Sequence, residues 1–332
     1  MVVYYLWQPK KMLKRCPKIN LSTDRYLCLK GMKMKAVVIN RTGSADELTY
    51  SDLPEPEINS CDIRIKVAAA AVNPVDIKTR SGFLGIDLTF PAILGWDVSG
   101  TVEATGADVT KFKVGDAVMG MIAQSVRRRG TYSEFVVAPE TLFASVPEKL
   151  PLERAAAVPL AAMAAAQLLD KVNLTQASRV LVTGAAGAVG RVAAQWLLQR
   201  GHEVAGLARS SDRDDLTRLG ITVVYSDIAE IPRYAFDAVL DTAGISGTIA
   251  AVHDKGAFVS VADNRQPEPQ RGIIPTKSYV QEDGARLATI AEQVACHSLV
   301  VTVGSRYPLS EAAAAHRDFE KGGLRGKVLL IP

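Results

Sequence analysis

The chain has 332 residues, of which 48% are apolar and 22% are charged, a composition typical of a folded protein large enough for two domains. Its net charge of +4 is unevenly distributed, because residues 1–33 contain eight lysines and arginines and only one acidic residue. The rest of the chain is therefore slightly acidic. This balance argues against a nucleic-acid-binding surface on the folded body.

Residues 1–33 are predicted to form a poorly ordered N-terminal extension. They lack the long apolar core and the small-residue cleavage pattern of a secretory signal, although the scarcity of acids leaves a targeting presequence as an alternative. The folded chain is expected to begin at Met34 with the strand KAVVIN.

No membrane span or disulfide framework is predicted. The longest apolar stretch, between Arg154 and Asp170, is interrupted by Pro159 and Gln167 and is interpreted as a buried helix. The four cysteines are scattered without a CxxC pair, which excludes a cysteine-rich zinc site and favours a reducing cytoplasm.

Two different patterns follow one another along the chain. From Met34 to Val146, short strands such as IRIKVAAAAV and DVSGTVEAT predict a β-rich unit. From Pro147, strands alternate with helices, which predicts βαβ units and a parallel sheet. After Asp283, the helix GARLATIAEQVACHS leads back to short strands in LVVTVGS and GKVLLIP. The sequence therefore predicts a β-rich unit divided by an inserted nucleotide-binding unit.

The stretch RVLVTGAAGAVGRVAAQWLLQRG is the strongest functional motif. Gly184, Gly187 and Gly190 follow a strand and open a helix, the context in which such a turn binds the pyrophosphate of a dinucleotide. Backbone N–H groups at Ala188 and Val189 and the helix dipole would face the anion.

The residues after the second strand favour NADP over NAD. NAD sites usually end this strand with an acid for the ribose 2′-hydroxyl, whereas this chain has Arg209 and Ser210, which could hold a 2′-phosphate. The alternative is that Arg209 is solvent-exposed and Asp212 binds the ribose of NAD.

Two dehydrogenase classes are excluded. Short-chain dehydrogenases need a Tyr-x-x-x-Lys pair after the glycine turn, and the only such spacing, Tyr26 to Lys30, precedes it. The scattered cysteines and four histidines supply no zinc-alcohol-dehydrogenase ligand set.

Several segments in order from Met34 to Pro332 resemble the medium-chain dehydrogenase/reductase superfamily, in its zinc-free quinone oxidoreductase (zeta-crystallin-like) and enone reductase branch. They are VNPVDIKTRSG, GWDVSGTVEATG, KVGDAVMG, GTYSEFVVAP, VTGAAGAVG and YPLSEAAAAHRDFEKGGLRGKVLL. Zinc-dependent relatives place a ligand cysteine where this chain has Asn73 and read Gly-His-Glu where it has Gly95-Trp96-Asp97. The resemblance therefore implies no metal.

The resemblance implies an α/β fold with two domains. A GroES-like β-rich catalytic domain comprises residues 34–154 and 285–332. A Rossmann domain with a doubly wound, parallel six-stranded sheet comprises residues 155–284. The family also implies a homodimer.

The resemblance implies site residues as well. Asn73 is at the position of an active-site asparagine, and Lys78 is either a catalytic ammonium group or a surface lysine. Tyr132 either lines the substrate pocket or packs in a strand, and His316 is interpreted as structural. The implied cofactor contacts beyond the glycine turn are Tyr225, Thr242, Ala243, Gly244, Val261 and Ala262.

The expected activity is NADPH-dependent reduction of a small quinone, enone or enal. Because no zinc polarises a carbonyl, reduction of an activated C=C bond is favoured over alcohol oxidation. Two alternatives remain. The first is an NADPH-binding redox sensor or structural protein with little turnover, which Ala164 favours because it replaces a hydroxyl that commonly touches nicotinamide in relatives. The second is an enoyl-thioester reductase.

Overall fold

The computed structural model describes residues 33–127, 129–174, 176–262 and 266–332. The predicted N-terminal extension lies outside the described residues, apart from Lys33, which begins the first strand.

The first part of the described chain is rich in β-structure, as predicted. Its strands are β1 (Lys33–Ile39), β2 (Thr49–Pro54), β3 (Asp62–Val72), β4 (Ala92–Ile93), β5 (Asp97–Thr105), β6 (Ala117–Met121), β7 (Phe135–Pro139) and β8 (Phe143–Ser145). Two short helices connect them, α1 (Pro74–Arg80) and α2 (Gln124–Arg127). Both faces of β3 are largely buried, which explains its apolar sequence.

The middle of the chain alternates helices and strands. Its helices are α3 (Leu152–Ala155), α4 (Pro159–Leu169), α5 (Ala188–Gln199), α6 (Arg213–Arg218) and α7 (Gly284–Ala295). Its strands are β9 (Arg179–Thr183), β10 (Glu203–Leu207), β11 (Val223–Tyr225), β12 (Phe236–Asp241), β13 (Val252–Ser260) and β14 (Thr276–Lys277). They pair in parallel in the order β11-β10-β9-β12-β13-β14, so the predicted six-stranded Rossmann sheet is confirmed.

The C-terminal part returns to the first body through β15 (Val303–Pro308), α8 (Ala312–Lys321) and β16 (Lys327–Ile331). β16 pairs antiparallel with β3, and one sheet joins strands in the order β15-β16-β3-β5-β6-β8. The division of the β-rich unit is therefore confirmed, while the domain boundaries at 154/155 and 284/285 stay a prediction. The predicted strand LVVTVGS starts too early, because β15 begins only at Val303; Leu299 and Val301 precede it and pack into the core.

The apolar stretch Leu152–Leu169 lies inside the protein. Among the helices of the described residues it is the one stretch with the length and mean hydropathy (1.3) of a membrane span, and 78% of it is buried. It forms α3 and α4, and Pro159 begins the second of these helices. The prediction of a buried apolar segment is confirmed, as two helices rather than one.

Candidate functional site

The glycine turn joins the end of β9 to the start of α5. Gly184 has a φ of +60°, and Gly187 precedes the first helical residue. A Cβ atom on Gly190 would lie 2.3 Å from the carbonyl oxygen of Gly184, so only glycine lets the helix approach the turn this closely. Ala188 and Val189 form the first turn of α5, where unpaired N–H groups and the helix dipole favour an anion.

The other predicted cofactor residues lie on the segments that follow neighbouring strands. Carboxyl ends of parallel strands share one edge of the sheet, where open α/β sheets bind their ligands. The structure brings to this edge the predicted residues Arg209, Ser210, Tyr225, Thr242, Ala243, Gly244, Val261 and Ala262. Thr242 and Ala243 approach the glycine turn closely, since a Cβ atom on Gly184 would lie 3.0 Å from the Cβ of Ala243 and 3.1 Å from the hydroxyl oxygen of Thr242. Residues 263–265 are outside the described residues.

A buried carboxylate that the sequence analysis missed holds three of these strand ends together. Asp241, the last residue of β12, accepts hydrogen bonds from the hydroxyls of Thr183 (2.6 Å) and Ser260 (3.0 Å). Its Oδ1 also accepts the backbone N–H groups of Gly244 and Ile245, both at 2.9 Å. Asp241 therefore fixes the turn after β12 relative to β9 and β13.

A small cavity of about 110 Å³ lies beyond the end of β10. Its walls come from the nucleotide-binding body and from the segments before β15 and β16, and they are Ala186, Arg191, Arg209, Asp212, Asp215, Thr302, Leu324, Arg325 and Gly326. Three guanidinium groups and two carboxylates line it, so the cavity favours a compact anion.

Asp212 organises this cavity. Its carboxylate is almost fully buried and accepts Nε–H of Arg209 (2.9 Å) on one oxygen, while its other oxygen lies 3.3 Å from Nε of Arg325. Arg325 also donates to the backbone oxygen of Ser211 at 2.6 Å. Because both oxygens face arginines, Asp212 is poorly disposed to bind the ribose of NAD, the alternative that the sequence left open.

Arg191 and Arg325 were missed by the sequence analysis. Arg191 lies in the second turn of α5 and pairs with Asp215 in α6. Arg325 belongs to the other body of the protein and reaches the cavity only because β16 returns to the first sheet. In the sequence, Arg325 appears only as the arginine of GGLRGK, and this segment does not indicate which residue it pairs with.

Asn73 lies at the end of β3, buried and surrounded by charge. Its Nδ2 donates to the oxygen of Ala71 (3.1 Å) and to Oδ2 of Asp97 (3.0 Å), and its Oδ1 accepts from the ammonium group of Lys327. Lys327 also donates to Asp97 at 2.9 Å, and Asp97 accepts the backbone N–H of Leu160 in α4 at 2.7 Å. Both amide hydrogens of Asn73 are thus used, and one lone pair of Oδ1 remains for a ligand.

Lys78 lies in the last turn of α1 and is half-buried. It is on the short helix that begins directly after Asn73. Its catalytic role stays a prediction.

Tyr132 does not line an open pocket. It is completely buried, and its hydroxyl lies 3.2 Å from Oδ2 of Asp76 and 3.1 Å from Nε2 of His316. The strand-packing alternative therefore accounts for Tyr132, and the pocket assignment is corrected, because the ring faces the core that contains α8.

A directed chain of hydrogen bonds passes through Tyr132. Arg80 can only donate, so Nδ1 of His316, 3.0 Å from Nη1 of Arg80, is an acceptor and the neutral ring carries its proton on Nε2. Nε2–H of His316 therefore donates to the hydroxyl oxygen of Tyr132, and the hydroxyl of Tyr132 donates to Asp76. Nη2 of Arg80 donates to Glu320 at 2.6 Å. The structural interpretation of His316 fits this arrangement.

Burial shifts the pKa values of Asp76 and His316 in opposite directions. Desolvation raises the pKa of Asp76 to about 7, and one of its oxygens has no hydrogen-bond partner among the described residues. Desolvation and, next, the charge of Arg80 lower the pKa of His316 to about 3. Folding thus favours an uncharged pair in the interior.

Replacing Asp76 by Asn should stabilise the protein increasingly as pH rises from 4 to 7. In this window the native state keeps a proton on Asp76 that the unfolded chain releases. The contribution of Asp76 to the free energy of unfolding of the wild type therefore falls as pH rises. The stability difference between variant and wild type should grow by about 1.4 kcal/mol per pH unit. Urea unfolding at several pH values measures it, and the contribution of His316 cancels between the two proteins. A difference that is constant with pH would contradict the shifted pKa.

Comparisons with known proteins agree with this architecture. The alcohol dehydrogenase GroES-like domain profile matches residues 59–148, and the zinc-binding dehydrogenase profile matches residues 219–330. The solved quinone oxidoreductase of Coxiella burnetii is 30% identical, with a TM-score of 0.83, over 91% of this chain and 100% of that one. The chain belongs to the medium-chain dehydrogenase/reductase superfamily.

Two further members of the superfamily are similar to this chain over most of its length. The NADPH-dependent alkenal/one oxidoreductase of Arabidopsis thaliana chloroplasts is 29% identical over 331 residues, which is 95% of this chain and 83% of that protein. A mycobacterial relative solved in complex with NADPH is 28% identical, with a TM-score of 0.78, over 90% of this chain and 100% of that one.

This medium-chain dehydrogenase/reductase differs from zinc-dependent members at the ligand positions named above. Asn73 and Trp96 are poor zinc ligands, and no cluster of three or more histidine, cysteine, aspartate or glutamate side chains suited to a metal occurs within the described ranges. The absence of zinc stays a prediction, supported by the residue types themselves.

Proposed function

We propose that this protein is a zinc-independent, NADPH-dependent reductase that transfers hydride to the C=C bond of α,β-unsaturated carbonyls or to quinones. One observation carries the proposal: the glycine turn is intact, whereas Asn73 and Trp96 occupy the positions at which zinc-dependent relatives bind the metal. Without a Lewis acid to polarise an alcohol, acceptors that are already electrophilic are the natural substrates. The names of the alkenal/one and quinone oxidoreductase relatives support this class of acceptor.

The residues at the sheet edge fit NADPH. The turn of Gly184, Gly187 and Gly190 suits a pyrophosphate, and the cavity beside Arg209 and Arg325 has the charge and size for a 2′-phosphate. The cofactor supplies a hydride from its dihydronicotinamide ring when it is bound. The protein supplies alignment and electrostatics.

Asn73 and Lys78 are assigned different roles. Because both amide hydrogens of Asn73 are engaged, its Oδ1 is proposed to accept from the carboxamide N–H of the nicotinamide and thus to orient the ring. The ammonium group of Lys78 is proposed to supply the proton that the reduced acceptor takes up.

Oxidation of NADPH by the purified protein tests the proposed function. Loss of the dihydronicotinamide absorbance should occur with simple enones, enals or quinones, and Lys78→Ala should reduce turnover while NADPH affinity is retained. Tight NADPH binding without turnover on any acceptor would instead favour a redox sensor or structural protein, a reading that Ala164 in α4 supports.

Replacing Arg325 or Arg209 by alanine should weaken NADPH binding roughly tenfold or more and leave NADH binding unchanged, because one charged hydrogen bond to the 2′-phosphate is lost. Titration calorimetry with both cofactors measures the effect. Arg317→Ala, which removes a surface arginine paired with Asp46, is the matched control for net charge. Equal loss of NADPH and NADH affinity would contradict the assignment of this cavity.

A cytoplasmic homodimer belongs to the same proposal. β14 is the edge strand of the six-stranded sheet, and Ile274 and Tyr279 near it are 74% and 65% exposed. An exposed edge with apolar neighbours suits pairing with a second copy. Sedimentation equilibrium should give twice the monomer mass.

A further inference from the structure

Trp96 has a buried hydrogen-bond donor without a partner in the part of the chain that the structure describes. Its side chain is 5% exposed, and its Nε1–H has no partner among the described residues. Unpaired buried donors are uncommon because desolvation without a hydrogen bond is costly. By contrast, the buried indole of Trp196 donates to Gln293 at 2.8 Å.

The surroundings of Trp96 are apolar and come from both bodies of the protein. Met121 and Ala123 lie on the β-rich side, and Leu160 lies in the first turn of α4. Val75 in α1 and Val280, which precedes α7, pack against this cluster. An apolar lining with one unpaired donor is complementary to an apolar molecule that carries a carbonyl oxygen.

The indole also packs between α1, which contains Lys78, and α4, which contains Ala164. Its neighbour Asp97 is hydrogen-bonded to Asn73 and to the backbone N–H of Leu160. Ala164, whose position commonly touches nicotinamide in relatives, follows Leu160 by four residues and so shares its face of α4. Val75 is on the same short helix as Lys78.

We propose that Trp96 Nε1–H donates a hydrogen bond to the carbonyl oxygen of the acceptor, an assignment that rests on the proposed reductase function. Hydride forms a new C–H bond at the β-carbon, and the π electrons of the C=C bond shift so that the carbonyl becomes an enolate. The dihydronicotinamide is oxidised and the acceptor is reduced. The indole N–H stabilises the enolate oxygen and transfers no proton; the enolate then takes one proton, assigned above to the ammonium group of Lys78, to give the saturated carbonyl.

Kinetics of Trp96→Phe test the hydrogen bond, because phenylalanine keeps an aromatic ring and removes the N–H. Turnover of an enone such as 4-phenyl-3-buten-2-one should fall roughly 100-fold, with NADPH affinity unchanged. Trp196→Phe, which removes an indole N–H that donates to Gln293, should turn over as the wild type does. Equal turnover by Trp96→Phe and wild type would overturn the role of Trp96 and leave the reductase function standing.

Indole ¹⁵N–¹H resonances give a readout that does not depend on catalysis. The two variants identify the Trp96 and Trp196 signals, and 2-methyl-1,4-naphthoquinone is added to wild type with NADP⁺, which cannot reduce it. The Trp96 signal should shift and the Trp196 signal should not. A Trp96 signal that stays constant under saturating quinone overturns the proposal. A shift in a protein that reduces no acceptor would support the binding site and reject the reductase function.

Discussion

Replacing Lys327 by methionine is expected to lower the free energy of unfolding by about 3–5 kcal/mol. Lys327 and Asp97 form an ion pair in which both side chains are almost completely buried. Removal of the ammonium leaves Asp97 as an uncompensated charge in the interior and also removes the donor to Oδ1 of Asn73. Urea unfolding followed by circular dichroism measures the loss.

Two further variants separate the ion pair from general effects of the substitution. Adding Asp97→Asn to the Lys327 variant should recover a large part of the stability, because no buried charge then remains. Lys321→Met removes a lysine from a solvent-exposed pair with Asp318 and should cost less than about 1 kcal/mol. Similar losses in the Lys321 and Lys327 variants would contradict the burial of this pair.

Replacing Gly190 by alanine should reduce NADPH and NADH affinity together by about 10²-fold. The new Cβ would lie 2.3 Å from the carbonyl oxygen of Gly184, so α5 must move away from the turn that it completes. A displacement of about 1 Å in a positioned group has effects of this order. Fluorescence titration with each cofactor measures the affinities, and the common loss distinguishes this variant from the Arg325 variant.

Gly201→Ala provides the matched control in the same helix–loop segment. Gly201 has a φ of +81° and no atom within 4 Å of the added Cβ, so the substitution introduces backbone strain without a clash. Stability should fall by about 1–2 kcal/mol while cofactor affinity is unchanged. Unaltered affinity in the Gly190 variant would contradict the account of the turn.

The sequence was sufficient where local pattern determines structure. The glycine spacing between an apolar strand and an amphipathic helix predicted the turn, and the alternation of strands and helices predicted a parallel sheet, because both depend on neighbours in the chain. The number of six strands was implied by the family resemblance. Arg209 and Ser210 after β10 were predicted from the residues themselves, whereas the residues after β11 to β13 were implied by the family resemblance. Their common edge follows from the fold, because the carboxyl ends of parallel strands meet there.

Contacts between distant segments were not predictable. Arg325 meets Asp212 only through the return of β16 to β3, and Asp97 joins Asn73 to α4 through pairings that no local pattern encodes. Tyr132 illustrates the opposite error, since its position in a matching motif suggested a pocket although the fold turns it toward His316. That the indole N–H of Trp96 has no partner among the described residues is visible only in the folded structure.

Transfer of deuterium tests hydride delivery to a C=C bond most directly. The protein is incubated with NADPH carrying deuterium at both C4 positions and with 4-phenyl-3-buten-2-one, and the product is analysed by NMR and mass spectrometry. We expect one deuterium at the β-carbon of the saturated ketone and one molecule of NADPH consumed for each product molecule. A saturated ketone without deuterium, or no reduction of this enone or of any quinone while NADPH is bound, would contradict the proposed function.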